Sequence, residues 1–211
     1  MIIATKLLHH LTDLFEACLP DSGAGEADLH QTIQHLKNAG SPNPVKPFMP
    51  PVVEQWLKQC CQQPCDPRHQ ACIDALLEIG PTLRWFTPPV EYAGKTLAEN
   101  YAFVRLMGPP LFDGPPNLFD SDEISAGFTI QAPQIFYPSH WHPAAEFYSV
   151  LTGTGRWQID DKPFMEMLPG SFIYHPSDVP HAMETTDEPM LTAYSWIGDI
   201  NTRPVAIDYE Y

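Results

Sequence analysis

Four residues offer the most evident chemistry: His140, His142, Glu146 and Tyr148, within the stretch YPSHWHPAAEFYSVLTGTGRW that runs from Tyr137 to Trp157. All four positions are even, and side chains along a β-strand alternate faces with a period of two. On a strand or hairpin edge, two imidazoles, a carboxylate and a phenol would point the same way. Burying such a cluster costs on the order of several kcal/mol unless something binds it. One divalent transition metal is the natural binder, because imidazole and carboxylate suit Zn, Fe, Mn, Ni or Co without strong discrimination. A second stretch, Pro169 to Met183, reads as a short strand and a proline-rich turn that delivers His181. A set of three or four protein ligands leaves a coordination position for water or substrate, as catalytic rather than structural sites do.

Tyr148 stands two residues beyond Glu146 on the same inferred face. A phenol titrates near pH 10 and is a poor base at neutrality. A neighbouring cation favours the phenolate and makes it a ligand or a general base. The plainer alternative is a tyrosine that fills a barrel interior. Tyr137 and Trp157 bracket the stretch, and Tyr194 and Trp196 share parity on a late strand. These aromatics are either interior filling or a cage for a cationic group through cation–π contact.

The surrounding chain divides in texture near residue 84. Before it, apolar residues recur at helical spacing. Residues 2–19 carry Ile3, Leu7, Leu11, Leu14, Phe15 and Cys18, and Pro20 to Gly23 end that helix. Leu29, Ile33 and Leu36 predict a shorter helix before Gly40. Residues 41–51 contain five prolines and predict an extended connector. Pro51 suits the first turn of a third helix, and a fourth covers about 68–79. After residue 84, short β-type runs separated by Gly and Pro take over: 101–107, 127–131, 146–151, 155–159, 171–174 and 190–197. That spacing predicts a small antiparallel barrel or jelly roll. The loop GPPLFDGPPN, 108–117, is placed to overhang a barrel mouth.

The chain has 211 residues and a net charge of −15, which argues against nucleic acid and anionic membranes as partners. No apolar run approaches the roughly 18 residues of a membrane helix, and His9, His10 and Asp13 interrupt the apolar start. A cytoplasmic location is the expectation. Four of the five cysteines crowd positions 60–72 without a C-x-x-C pair. Cys61, Cys65 and Cys72 are spaced as on one helical face, so reduced thiols are expected rather than a zinc site.

Together the two chemistry-bearing stretches resemble the paired motifs of the cupin family. His140, His142, Glu146 and Gly153 follow the first motif, and Pro169, Gly170, Pro180 and His181 the second. Where cupins often carry Asn after the last His, this chain has Thr185. That departure leads to a narrower resemblance, to the cupin-type dimethylsulfoniopropionate (DMSP) lyases. Tyr137, His140, His142, Glu146, Tyr148, Leu151, Gly153 and Trp157 follow the first motif of that family, and Gly170, His175, His181 and Thr185 the second. In that second motif the proline falls at 176 and 180.

The resemblance implies a mostly β cupin fold, a jelly-roll barrel of residues 85–211 carrying the metal site, preceded by a helical region, residues 1–84, packed on the barrel. It implies a β-elimination of DMSP to dimethyl sulfide and acrylate. His142, Glu146 and His181 carry over as metal ligands. His140 carries over as a fourth ligand or a group that orients one. Tyr148 carries over as the preferred base and a resting-state ligand, with Tyr137 as the competing base. Trp157, Tyr194 and Trp196 become candidates for holding the sulfonium, and His175 for shaping the turn. The expected partner is a small sulfonium carboxylate, and the helical front offers a surface for a homodimer. Two other readings fit the same motifs: an Fe(II) dioxygenase or isomerase, the former separable by its need for O₂, and a non-enzymatic cupin that binds a metabolite.

Overall fold

In the computed structural model, residues 2–88, 97–111 and 114–206 are described. Helix α1, Ile2–Ala17, presents Leu7, Leu11, Leu14 and Phe15 as one buried stripe. Helix α2, Glu26–Lys37, carries Glu26 and Asp28 in its first turn and His35 and Lys37 in its last, which matches the helix dipole. Helix α3, Pro51–Gln62, starts on a proline whose missing N–H costs nothing there. Helix α4, Gln70–Ile79, follows a 3₁₀ turn, Pro67–His69, whose start is capped by the Asp66 carboxylate accepting from Arg68 N–H. Cys61, Cys65 and Cys72 are therefore not on one helical face. α3 ends at Gln62, and the chain turns at Pro67 before α4 begins. All five cysteines are free thiols.

The strands are β1 (Trp85–Phe86), β2 (Tyr101–Met107), β3 (Ile124–Gln131), β4 (Phe136–Trp141), β5 (Ala145–Thr152), β6 (Gly155–Ile159), β7 (Met165–Met167), β8 (Phe172–His175), β9 (His181–Thr185), β10 (Met190–Ile197) and β11 (Val205–Ala206). They form a six-stranded antiparallel sheet in the order β1-β2-β3-β10-β5-β8 and a five-stranded antiparallel sheet in the order β11-β4-β9-β6-β7. This is the expected mostly β cupin jelly roll with helices before it.

The period of two explains how β3 and β5 are buried along their whole length. Ala102, Val104 and Leu106 of β2, Ala126, Phe128 and Ile130 of β3, and Phe147 and Leu151 of β5 share one apolar core with the helices. The alternate positions, among them Tyr101, Tyr148, Val150 and Tyr194, form a second core with Tyr137, Trp157 and Met183 of the other sheet. The helices thus cover the outer face of one sheet and leave the inter-sheet space for polar groups. Gly153, between β5 and β6, sits at φ +75, and a Cβ there would come within 2.3 Å of the Pro189 carbonyl. That turn therefore admits glycine alone.

Candidate active site

The four residues do not share one strand face. His140 lies on β4, His142 in the bend that follows it, and Glu146 and Tyr148 on β5, which belongs to the opposite sheet. Even spacing put them together for a different reason: the chain turns at Pro143 and Ala144, and the two sheets face each other. His181 opens β9, directly opposite His140 in the β4–β9 register. The other sheet brings Trp196 and His175 alongside Glu146, as its cross-strand neighbours on β10 and β8.

His140, His142, Glu146 and His181 are all buried, and one donor atom from each lies within 4.8 Å of all the others. Each imidazole commits Nδ1 to a main-chain carbonyl: His140 to Pro138 at 3.0 Å, His142 to Ala144 at 2.9 Å and His181 to Val179 at 2.9 Å. A carbonyl only accepts, so Nδ1 carries a proton and Nε2 is the ring atom turned to the cluster. Nε2 of His142 and Nε2 of His181 each lie 3.2 Å from Glu146 Oε2, itself an acceptor. The buried His181 Nε2 makes no hydrogen bond there. At this distance each Nε2 meets the carboxylate through a proton or a metal ion. Imidazole and carboxylate donors at this spacing fit a divalent transition metal, whose bonds to N and O run about 2.0–2.2 Å. Trp196 completes the support: its indole N–H donates to Glu146 Oε1 at 2.5 Å, and its ring stacks on His142 at 4.1 Å.

Burial and mutual contact shift His140, His175 and Glu146. Burial, with His181 beside it, holds His140 well below the usual imidazole range. Burial and His181 likewise bring His175 down to about 3. For Glu146 burial alone would raise the carboxyl, but contact with His142, His175 and His181 outweighs it and holds it well below the usual range. His175 stacks on His181 at 3.9 Å with Nδ1 3.4 Å from Glu146 Oε2, inside the cluster's wall rather than in the turn alone.

A cavity of about 740 Å³ opens over this cluster, within the size range of small-molecule sites. Tyr137, His140, Glu146, Tyr148, Tyr194 and Trp196 line it. Trp157 does not: it is fully buried behind Tyr148, ring to ring at 5.8 Å. Tyr148 is pushed well above its ordinary value by burial, by Glu146 and by the neighbouring Tyr101 phenol. Tyr137 stacks edge-on against Tyr101 at 5.0 Å and lies 4.6 Å from the His140 ring. Of the overhanging loop, Pro109, Pro110 and Leu111 reach the cavity, while 112–113 lie outside the described residues.

Sequence reasoning missed Tyr101, Phe103 and Arg105, which line the cavity from β2. Their alternation with Ala102, Val104 and Leu106 was the available signal, and it marks an inward polar face on β2.

Residues 24–192 match the profile of a family described as dimethylsulfoniopropionate lyase. The dimethylsulfoniopropionate lyase DddQ of Ruegeria pomeroyi (strain ATCC 700808 / DSM 15171 / DSS-3) is 30% identical over 172 residues, 81% of each chain. The crystal structure of DMSP lyase DddQ from Ruegeria pomeroyi DSS-3 superposes with a TM-score of 0.71 at 26% identity, covering 92% of this chain and 95% of that one. A chain from the structures of the DMSP lyases RdDddP and RnDddQII superposes with a TM-score of 0.74 over 98% of both chains, at 22% identity.

Proposed function

The chain belongs to the dimethylsulfoniopropionate lyase family, and from that premise we propose that it cleaves DMSP to dimethyl sulfide and acrylate, with Tyr148 as the base and His140, His142, Glu146 and His181 holding one Zn, Fe, Mn, Ni or Co ion. The observation that carries this reading is the convergence of imidazole Nε2 atoms on Glu146 Oε2, with a phenol two residues along the same strand facing the same cavity. When bound, the metal would supply positive charge that lowers the proton affinity of the neighbouring phenol and stabilises the charge that develops as the proton leaves.

The Tyr148 oxygen takes the proton from the carbon α to the carboxylate. The electron pair left behind forms the C=C bond, and the β-carbon–sulfur bond breaks with its pair passing to sulfur. A zwitterion thus gives neutral dimethyl sulfide, an acrylate anion and one proton, which Tyr148 carries until it is lost to water. Tyr101 shares the buried cluster of Tyr148 and lines the same cavity. Tyr137, flanking His140, is the alternative base. Trp196 offers an aromatic face to the sulfonium at the cavity wall, which Tyr194 also lines, and Trp157 supports Tyr148 from behind.

The test is direct. Purified metal-loaded protein is incubated with DMSP, and headspace dimethyl sulfide is measured by gas chromatography against a chelated control. Metal-dependent release is the expected result. No release with any of the five metals would remove the lyase assignment.

A further inference from the structure

We infer that Arg105 anchors the carboxylate end of the substrate and thereby sets the direction in which it binds; this rests on the DMSP reading above. The register places Arg105, Gly127, Tyr194 and Tyr148 in one row across β2, β3, β10 and β5. Gly127 contributes no side chain to that row. None can be added, because a Cβ there would lie 1.8 Å from the Val104 carbonyl oxygen. The gap lets the guanidinium reach past β3 to the Tyr194 phenol, with which it interacts. Tyr194 is the direct cross-strand neighbour of Tyr148, and adjacent strands lie about 4.8 Å apart. A carboxylate seated against Arg105 and Tyr194 therefore places its α-carbon on the side of Tyr148.

The charge state of Arg105 supports an anionic occupant. Its side chain is half-buried and lines the cavity. Nη1 donates to the Pro109 carbonyl at 2.9 Å, and the buried Nε has no hydrogen-bond partner. Arg68 and Arg156 pair with Asp66 and Glu184, whereas Arg105 has no carboxylate partner among the described residues. In a chain of net charge −15, a half-buried guanidinium without a counter-ion is costly until an anion meets it. Its planar fork matches a carboxylate in two parallel hydrogen bonds. The same charge repels the sulfonium, which is left to the aromatic side of the cavity at Trp196.

Two probes separate the ends of the substrate: acrylate for the carboxylate and trimethylsulfonium for the cation. Isothermal titration of the metal-loaded protein with each, for wild type, R105Q and R105K, reads the inference apart from turnover. R105Q is expected to weaken acrylate about 10–100-fold and to raise KM for DMSP by a similar factor. Its metal content and trimethylsulfonium affinity should match wild type. R105K, with charge but no fork, should fall between. Unchanged acrylate affinity in R105Q overturns the inference, as does equal weakening of both probes, which would reduce Arg105 to a clip on the loop at Pro109. A wild type that releases no dimethyl sulfide removes the lyase reading itself, and that result differs from an active enzyme indifferent to R105Q.

Discussion

Tyr148 carries a tension that a single oxygen atom can test. Burial and the Glu146 carboxylate push its phenol well above the ordinary value, yet a base must give up its proton first. The Tyr148→Phe variant removes that oxygen and leaves the four candidate metal ligands in place. It should retain metal by elemental analysis and lose about 10²–10⁴-fold in kcat. Retained turnover would transfer the role to Tyr137. Trp196 poses a different question, because its N–H donates to Glu146 and its ring stacks on His142. Trp196→Phe keeps the ring and loses the donor. Competition with a chelator should show about 10–100-fold weaker metal binding, and an unchanged affinity would limit Trp196 to lining the cavity. At this scale the motif residues were legible in the sequence because their types are rare in a core. Arg105 and Tyr101 were not, since a lone Arg or Tyr in a β-run reads as surface or filling until its strand neighbours are known.

Strands and helices were legible where periodicity is strong. The runs 101–107, 155–159 and 190–197 coincide with β2, β6 and β10. What periodicity could not show is that β4 and β5, only a bend apart, enter different sheets; that depends on a turn and on pairing with distant β9 and β10. The fully buried β3 and β5 also hid their two faces, because helices cover one of them. The β2–β3 contact is close enough to be tested by one methyl group. Gly127→Ala should destabilise by about 1–3 kcal/mol, seen as a lower urea midpoint, and a neutral result would mean that the strands separate freely. In the helical layer, burial raises the thiol of Cys61 to about 12 and those of Cys60 and Cys72 higher still. A raised value means little thiolate at neutral pH. Iodoacetamide at pH 8 should therefore label Cys65, the least buried of the five, and reach the others only after unfolding. Rapid labelling of Cys60 or Cys72 in the native protein would contradict the packing of α3 against α4.

Across the whole molecule, the helical layer is tied to the barrel by apolar packing and by the Tyr174 hydroxyl, which donates to Asp28 of α2 at 2.8 Å. Burial and Asp28 raise that phenol from 10.0 to about 12. Its folded value lies above its unfolded one, so the stabilisation is complete below pH 10 and is lost as pH rises through about 12. The group is partly solvated, and Tyr174→Phe should cost about 1 kcal/mol and flatten the alkaline limb of a stability–pH curve. An unaltered limb would assign that limb to the cavity tyrosines. The cluster of three histidines and Glu146 has a different reach. His140, His142 and His181 come from the five-stranded side of the sandwich and Glu146 from the six-stranded side. A bound ion is therefore a clasp across a seam that main-chain ladders do not cross. Metal at about 100 times its dissociation constant adds about 2.7 kcal/mol to stability, so stripping it should lower the melting temperature and loosen hydrogen exchange on β4, β5 and β9 together. In a cell starved of that metal, the chain would be more than idle: with the seam unclasped it would open more often to proteases, and its abundance would track the metal supply.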